Sequence, residues 1–377
     1  MYQNFKEWMQ AHFDEMIADL KELAVIPAPS HHEELRAEWV KNWLAKYGAE
    51  TEIDGALNVK LKFLPDGTPA DAPLEAFIAH TDVVFPDTTA LPLVEDAEAL
   101  RCPGVGDDTA NLICLLYVTR YILEKKLNPA VPTLIAANSC EEGLGNLKGV
   151  RALCDEEKIK SLITFDGGQK TAVTIGVGSY RYKVTVRTEG GHSFGAFGNR
   201  NAIAYLASLI DTLYRMKVPP YGKTTYNVGT IEGGTSVNTI AQEASMLYEF
   251  RSDDRRGLEV MQKFFEQTLE AYRAMGIEVD CELLGVRPCN GDVPEDEMKA
   301  LLARSNAAAE MVLGTTLKER SGSTDANIPL SRGIPATCLG VQGRGGGTHT
   351  REEWIQKEDL LTGALYCGAV VLGSFKD

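Results

Sequence analysis

The feature that most constrains the fold of this chain is a series of short apolar runs separated by amphipathic stretches. In the first part of the sequence these runs occupy residues 58–63, 74–79, 133–137 and 161–165. Apolar runs of this length are typical of strands that are buried on both faces. Residues 109–125, between the second and third runs, predict a long helix. This alternation predicts an α/β fold in which a mostly parallel sheet is flanked by helices.

The middle of the chain has a different pattern. Strands are expected at 180–188, 225–231, 244–251 and 277–284, and helices at 201–216 and 258–275. The resulting order, β-α-β-β-α-β, is the ferredoxin-like arrangement.

A chain of 377 residues is expected to form about two domains. After the ferredoxin-like stretch the earlier alternation returns, with helices expected at 295–313 and 357–375. We therefore predict one α/β domain built from residues 1–176 and 288–377, interrupted by a smaller α+β domain at 177–287.

The beginning of the chain predicts two helices. Residues 5–23 have the pattern of one amphipathic helix, which Pro27 and Pro29 terminate. Ser30 is then expected to cap a second helix that runs through Leu44.

The composition excludes several classes of protein. The formal net charge of −15 argues against a nucleic-acid partner, because phosphate binding requires a basic surface. No apolar run reaches the ~20 residues that span a bilayer, and the start of the chain lacks the pattern of a secretory signal. The eight cysteines are scattered without a C-x-x-C pair, which favours reduced, mostly buried thiols. We expect a soluble protein of the cytoplasm.

Acidic residues and histidines follow the predicted strands. Those that lie just past a strand, or that open a helix after one, are His80, Asp82, Asp107, Asp108, Glu141, Glu142, Asp166 and His349. Because the carboxyl ends of parallel strands share one edge, where ligands bind, side chains far apart in the sequence can meet there.

Two imidazoles and several carboxylates at one edge of a sheet predict divalent metal ions. Nitrogen and oxygen ligands without thiolate suit zinc, and less selectively cobalt or manganese. The charge balance favours two ions, because three carboxylates and one hydroxide neutralise two divalent cations. A single cation would leave the site too negative.

These motifs are similar to those of a known family. The matching segments are His80-Thr81-Asp82, Asp107-Asp108, Cys140-Glu141-Glu142-Gly143, Asp166, Gly191-His192-Ser193, residues 199–203, residues 323–327 and the loop that ends at His349. Together they resemble, over nearly the whole chain, the aminoacylase/peptidase T/carboxypeptidase G/acetylornithine deacetylase family of dizinc metallohydrolases, and its peptidase T-like branch in particular. The resemblance implies a zinc-exopeptidase-like catalytic domain with an inserted lid or dimerisation domain. The chain departs from many relatives at Thr109-Ala110, where a residue followed by Lys-Gly is common.

The resemblance also implies the ligands of each metal ion. His80 and Asp166 would hold one ion, Glu142 and His349 would hold the other, and Asp107 would bridge them.

Two further acids would have supporting roles in the same comparison. Asp82 would accept a hydrogen bond from His80 and so fix the tautomer of its ring. Glu141 would be the general base that takes a proton from the attacking water and returns it to the leaving amine.

The inserted domain would contribute to the active site through three residues. His192 would donate to the oxyanion, often across a dimer, while Asn238 and Arg251 would contact the substrate. Arg251 could pair with a substrate carboxylate through two hydrogen bonds.

Several of these residues also have plain structural interpretations. His192 and Asn238 could be loop residues, and Arg251 could belong to a surface ion pair. Asp108 is interpreted as the N-cap of the following helix, without a metal role. Cys140 is interpreted as a buried thiol rather than a nucleophile.

We predict a metal-dependent hydrolase that cleaves an amide bond in small peptides, with an N-acyl amino acid deacylase as the alternative. A catalytically silent metabolite-binding or assembly protein is the alternative outside the enzymes, and an intact Glu141 beside a full ligand set argues against it. A dehydrogenase is disfavoured because no dinucleotide fingerprint precedes a helix. The expected partners are the small substrate and a second copy of the chain, bound through the inserted domain, with no membrane or nucleic acid.

Overall fold

The chain folds into two compact units. The structure is a computed structural model that describes residues 1–377, the side chain of Leu144 excepted. Unit 1 comprises Met1–Ile175 and Gly291–Asp377, and unit 2 comprises Gly176–Asn290. The role of the middle segment as a lid or dimerisation domain remains a prediction.

The secondary structure alternates as follows. The helices are α1 (Tyr2–Ala11), α2 (Phe13–Ala24), α3 (Glu34–Ala45), α4 (Asn111–Lys125), α5 (Lys148–Glu156), α6 (Ala202–Tyr214), α7 (Arg255–Ala274), α8 (Glu295–Leu313), α9 (Asn327–Ser331) and α10 (Asp359–Val371). The strands are β1 (Glu52–Ile53), β2 (Val59–Phe63), β3 (Leu74–His80), β4 (Val94–Glu95), β5 (Ala99–Arg101), β6 (Asn128–Pro129), β7 (Thr133–Asn138), β8 (Ile159–Phe165), β9 (Thr171–Gly176), β10 (Gly178–Arg187), β11 (Gly191–His192), β12 (Thr224–Gly233), β13 (Thr239–Ile240), β14 (Glu243–Ser252), β15 (Glu278–Arg287), β16 (Lys318–Gly322), β17 (Ala336–Leu339), β18 (Gly345–Gly346), β19 (Trp354–Gln356) and β20 (Phe375–Lys376).

Unit 1 is built around an eight-stranded sheet with the order β1-β2-β7-β3-β8-β17-β9-β16. Its central strands β7, β3, β8 and β17 run parallel, while β2 and β9 pair antiparallel to their inner neighbours. Every residue of β3 and β7 is buried, as expected for strands that are covered on both faces. The mostly parallel sheet flanked by helices confirms the predicted fold class.

The alternating side chains of β3 contribute to two different cores. Phe77 and Ala79 pack into a core that includes residues of α1, α2, α4 and α10. Ala76 and Ile78 pack on the other face, into a core that includes residues of α5 and α9. Since successive side chains of a strand point to opposite faces, one short apolar run supports both layers of helices.

The beginning of the chain differs from the sequence-based expectation. The single helix expected at 5–23 is two helices, because His12 has a non-helical backbone (φ −109°, ψ 13°). The His12 ring stacks on Trp8, with the ring centroids 4.2 Å apart, and its Nδ1 bonds to the Trp8 carbonyl oxygen at 2.7 Å. The prediction that Ser30 caps the next helix is also wrong, since α3 begins at Glu34 with Glu33 at the N-cap position.

Unit 2 has the β-α-β-β-α-β order that its sequence pattern predicts. Strands β10, β12, β14 and β15 form an antiparallel sheet with the order β12-β14-β10-β15. One face carries the unit's apolar core, in which Val184, Met246 and Phe250 from the sheet meet Leu206 of α6 and Phe265 of α7. This arrangement leaves β12 at the edge of the sheet.

In the part of the chain that the structure describes, no helix is both long enough and apolar enough to span a bilayer.

Candidate metal centre

The carboxyl ends of three adjacent parallel strands place most of the predicted site residues of unit 1. His80 is the last residue of β3, Asp166 directly follows β8, and Glu141 and Glu142 lie a few residues beyond the end of β7. Because β7, β3 and β8 are neighbours and run parallel, these side chains emerge at one edge of the sheet.

Asp107 and His349 reach the same edge from loops, and two clusters result. In the first, His80, Asp107, Asp108 and Asp166 each offer a ligand atom, and these atoms lie within 4.8 Å of one another. In the second, the ligand atoms of Asp107, Glu142 and His349 meet the same criterion. All five residues predicted as metal ligands are therefore brought together.

Asp107 connects the two clusters by using both of its carboxylate oxygens. Its Oδ1 lies 3.1 Å from His80 Nε2, and its Oδ2 lies 3.2 Å from His349 Nε2. His349 Nε2 also lies 3.1 Å from Glu142 Oε1. One carboxylate thus faces an imidazole on each side, as a group shared by two cations would.

Asp108 does not cap a helix, so that prediction is wrong. The residues 105–110 form an irregular turn with a cis peptide bond between Asp107 and Asp108, and α4 begins at Asn111 without a side-chain cap. Asp108 Oδ2 accepts a hydrogen bond from the backbone N–H of His80 at 3.0 Å, and Oδ1 accepts one from Asn111 Nδ2 at 2.7 Å. The carboxylate links β3 to the start of α4 instead.

Asp82 contacts both His80 and the glutamate pair. His80 Nδ1 lies 3.1 Å from the backbone carbonyl oxygen of Asp82 and 3.3 Å from its Oδ1. The same Oδ1 accepts the backbone N–H of Glu141 at 2.9 Å. Its Oδ2 accepts the N–H of Glu142 at 2.9 Å and the hydroxyl of Ser30 at 2.6 Å. The sequence analysis expects a contact between Asp82 and His80, and its role in fixing the ring tautomer stays a prediction. The contacts with Ser30 and with the backbone have no signal in the sequence.

Burial makes ionisation of two acids unfavourable. The pKa of Asp166 rises to about 7, because it is desolvated and because the charge of Asp107 is close. Desolvation also raises the pKa of Asp108 well above its usual range. A cation placed between these buried carboxylates would stabilise their ionised form.

The imidazoles show the complementary effect. Hydrogen bonds to Asp107 and Glu142 raise the pKa of His349 to about 10. Burial opposes a charge on His80, but the neighbouring acids, Asp108 foremost, outweigh it and raise its pKa. Burial likewise disfavours the charge of Asp107, yet hydrogen bonds with His349 and His80 lower its pKa. Protons on the two imidazoles thus offset the negative charge of the carboxylates. Divalent cations, which bind through nitrogen and oxygen atoms, could offset the same charge with the same side chains.

Arg36 lies beneath this centre and was missed in the sequence. It is fully buried, and its guanidinium donates to the carbonyl of Thr81 at 3.0 Å, to the hydroxyl of Thr109 at 3.1 Å and to the carbonyl of Ile26 at 2.9 Å. Burial lowers its pKa to about 10. An arginine in an amphipathic helix is normally solvent-exposed, so the sequence gives no sign of this role.

Comparison with known proteins identifies the family. The sequence profile of the peptidase family M20/M25/M40 matches residues 76–372. The chain belongs to this family. The match includes every residue of the two candidate clusters, and the M20/M25/M40 peptidases are metal-dependent hydrolases.

Individual relatives of this M20/M25/M40 peptidase are distant but of full length. The uncharacterized protein YqjE of Bacillus subtilis is 24% identical over 373 residues, which cover 94% of this chain and 97% of that protein. The aminopeptidase PepT of Bacillus cereus is similar in structure, with 22% identity, a TM-score of 0.71 and coverage of 95% and 97% of the two chains. A tripeptidase of Staphylococcus aureus has 20% identity, a TM-score of 0.76 and coverage of 95% and 98%. These structures confirm the fold.

The three site residues predicted in unit 2 of this M20/M25/M40 peptidase lie in two places. His192 is exposed, pairs across β11 and β13 with Thr239, and accepts the N–H groups of Phe194 and Gly195 on Nδ1 at 3.3 and 3.2 Å. The carbonyl oxygen of Asn238 accepts the N–H of the residue after His192 at 3.0 Å, so these two predicted residues lie side by side.

Arg251 lies elsewhere in unit 2, on β14. Its Nε and Nη2 each donate to a different oxygen of Glu249 at 3.0 Å, which makes a bidentate ion pair. A substrate carboxylate would have to compete with Glu249 for this guanidinium.

Proposed function

We propose that this M20/M25/M40 peptidase is a dizinc exopeptidase that hydrolyses di- or tripeptides. Asp107 carries the proposal, because its two oxygens face His80 on one side and His349 on the other at 3.1 and 3.2 Å. Two cations that share one carboxylate need this arrangement, whereas a single cation does not.

Each cation would be held by a separate set of side chains. His80 and Asp166 would hold one, Glu142 and His349 the other, and Asp107 both. We leave Asp108 out, although it belongs to the first cluster, because the backbone of His80 and the side chain of Asn111 already occupy its oxygens. Imidazole and carboxylate ligands favour zinc, with cobalt or manganese as substitutes.

Glu141 is proposed as the general base. It is 6% exposed, it adjoins the predicted ligand Glu142, and it belongs to neither cluster found among the described residues. Bound divalent cations would polarise the scissile carbonyl and acidify the attacking water. The Glu141 carboxylate would accept the proton of that water and return it to the leaving amine. Asp82 would keep the His80 ring oriented through Nδ1.

The proposed substrate class rests on the family and on the activities of proteins that share its fold. The chain matches a peptidase family over most of its length, and structures with the same fold include an aminopeptidase and a tripeptidase. His192 is proposed to stabilise the oxyanion, and Asn238 and Arg251 to bind the substrate. For this, the Arg251 guanidinium would have to release Glu249 and pair with a substrate carboxylate instead.

Chelation should remove the activity, and added zinc, cobalt or manganese should restore it. The measurement is release of product from a panel of di- and tripeptides, N-acetyl amino acids and peptides with C-terminal glutamate, before and after dialysis against a chelator. Turnover of the acetylated compounds alone would favour the deacylase. A purified protein without bound metal and without rescue would contradict the proposal and favour a silent binding protein.

We also propose a homodimer formed through unit 2. Strand β12 lies at the edge of its sheet, and Ile231 on this strand is 54% exposed. An exposed edge strand presents backbone groups that can pair with a second chain. Sedimentation should give twice the mass of one chain, and a strict monomer would also remove a role of His192 across subunits.

The state of the cysteines supports a cytoplasmic location. All eight are free thiols in the structure, the form that reducing compartments maintain. Cell fractionation that places the protein in an oxidising compartment would contradict this proposal.

A further inference from the structure

The turn that carries Glu141 and Glu142 is held by buried side chains from other segments. Four consecutive backbone N–H groups each donate to a side-chain oxygen. The bonds are Ser139 N to Asn58 Oδ1 at 3.1 Å, Cys140 N to Glu33 Oε1 at 3.0 Å, Glu141 N to Asp82 Oδ1 at 2.9 Å and Glu142 N to Asp82 Oδ2 at 2.9 Å. The three accepting residues are fully buried. The position of the glutamate pair therefore depends on these acceptors as well as on strand β7.

Glu33 is the acceptor at the most constrained point of this turn. Cys140 has a left-handed backbone with φ of 57°, which L-residues other than asparagine and aspartate seldom adopt. Glu33 Oε1 accepts both the N–H and the thiol of Cys140, at 3.0 and 3.2 Å, and also the N–H of His31 at 3.1 Å. One oxygen thus holds the residue that turns the chain from β7 towards Glu141.

Glu353 does the same for the loop that carries Asp107. Its Oε1 accepts the N–H groups of Gly106 and Asp107, both at 2.8 Å, and its Oε2 accepts that of Gly104 at 3.0 Å. Glu353 is 1% exposed and lies four residues beyond His349. It therefore ties the loop of one predicted ligand to the loop of another.

We propose that Glu33 and Glu353 are positioning residues of the metal centre. Neither belongs to a cluster found among the described residues. Glu33 bonds to the backbone two residues before Glu142, and Glu353 bonds to the backbone of Asp107 itself. Residues that hold the ligand loops in position, without contacting the metal themselves, reduce the rearrangement of the protein that metal binding requires. This inference rests on the proposed function, because it assumes that Glu142 and Asp107 bind cations.

The two carboxylates differ in a way that makes the proposal testable. At Glu33, Oε1 accepts every hydrogen bond described, and Oε2 is buried without a hydrogen-bond partner among the described residues. Glutamine at this position keeps an acceptor oxygen where it is needed. At Glu353 both oxygens accept backbone N–H groups, so glutamine in either orientation sets an NH2 donor against another donor.

The experiment is a titration of the metal-free, full-length protein with Co²⁺ against a competing chelator, followed by absorbance. We expect Glu353→Gln and Glu33→Ala to weaken Co²⁺ binding by about 10–100-fold, the usual effect of losing an outer partner of a ligand. Glu33→Gln should stay close to the wild type. The readout does not depend on knowing the substrate.

Glu75→Ala is the matched control. Glu75 is also a buried glutamate of unit 1, and it accepts hydrogen bonds from Arg304 and Ser374. It lies near the start of β3, five residues before His80, at the opposite end of the strand. We expect its loss to lower the melting temperature without changing Co²⁺ affinity.

Two results would overturn the inference, and they differ from each other. If the wild type binds Co²⁺ but Glu353→Gln and Glu33→Ala bind it equally well, the two glutamates are merely structural. If the wild type itself binds no Co²⁺, the proposed function fails and this inference fails with it. If circular dichroism shows that Glu353→Gln is unfolded, the test is the difference in Co²⁺ affinity between Glu33→Ala and Glu33→Gln. Equal affinities for these two variants would overturn the inference.

Discussion

Replacing Glu141 by glutamine should abolish turnover and leave the metal content unchanged. The amide cannot accept the proton of the attacking water, and general acid–base catalysis contributes about 10²–10⁴-fold to a rate. Metal binding should persist, because Glu141 belongs to neither cluster found among the described residues. The measurements are kcat on the best peptide of the panel and metal analysis of the same preparation.

A glutamate on the surface provides the control for this substitution. Glu310 is exposed on helix α8, and Glu310→Gln makes the same chemical change away from the site. It should leave both kcat and metal content as they are. A Glu141→Gln variant that keeps near-normal kcat with its full metal content would show that another group is the base.

Replacing Asp107 by asparagine should weaken both metal sites at once. Asparagine offers one oxygen and one NH2 donor, whereas Asp107 presents an oxygen to the side of His80 and another to the side of His349. The loss of a direct ligand should exceed the roughly 10–100-fold that an outer partner costs. Titration of the metal-free variant with Zn²⁺ or Co²⁺ measures both sites together.

The variant Asp166→Asn tests whether Asp107 is shared by both metal ions, because Asp166 is a predicted ligand of one ion only. Asp166 occurs in the cluster of His80 and not in that of Glu142 and His349, so this variant should lose affinity at one site and keep the other. If Asp107→Asn also keeps one site at wild-type affinity, Asp107 does not bridge two cations.

Much of the metal centre could be predicted from the sequence. His80, Glu142 and Asp166 follow strands whose apolar runs are unambiguous, and the topology of a parallel sheet then brings their ends together. Asp107 and His349 were candidates on the same ground, and the resemblance to the family implied which of the candidates are ligands. The interpretation of Asp108 was wrong for a physical reason, since an acid before a helix is usually a cap, but here it bonds to β3 across the sheet edge.

The supporting residues could not be predicted in this way. Ser30, Glu33, Arg36 and Glu353 contact groups that are between 10 and 249 residues away in the sequence. In the sequence each resembles an ordinary polar residue of a helix or a loop. These residues become buried and meet their partners only when the chain folds, so no local sequence pattern reveals them.

By itself the sequence determined strands β2, β3, β7 and β8, the order of the elements in unit 2 and the kind of residue at the ends of the central strands. The short apolar runs at 58–63, 74–79, 133–137 and 161–165 match strands β2, β3, β7 and β8, because short apolar runs favour strands that are buried within a sheet. The tertiary structure alone decided which oxygen faces which nitrogen and which buried carboxylates hold the ligand loops. Those features depend on distances between segments, and such distances arise from packing rather than from sequence pattern.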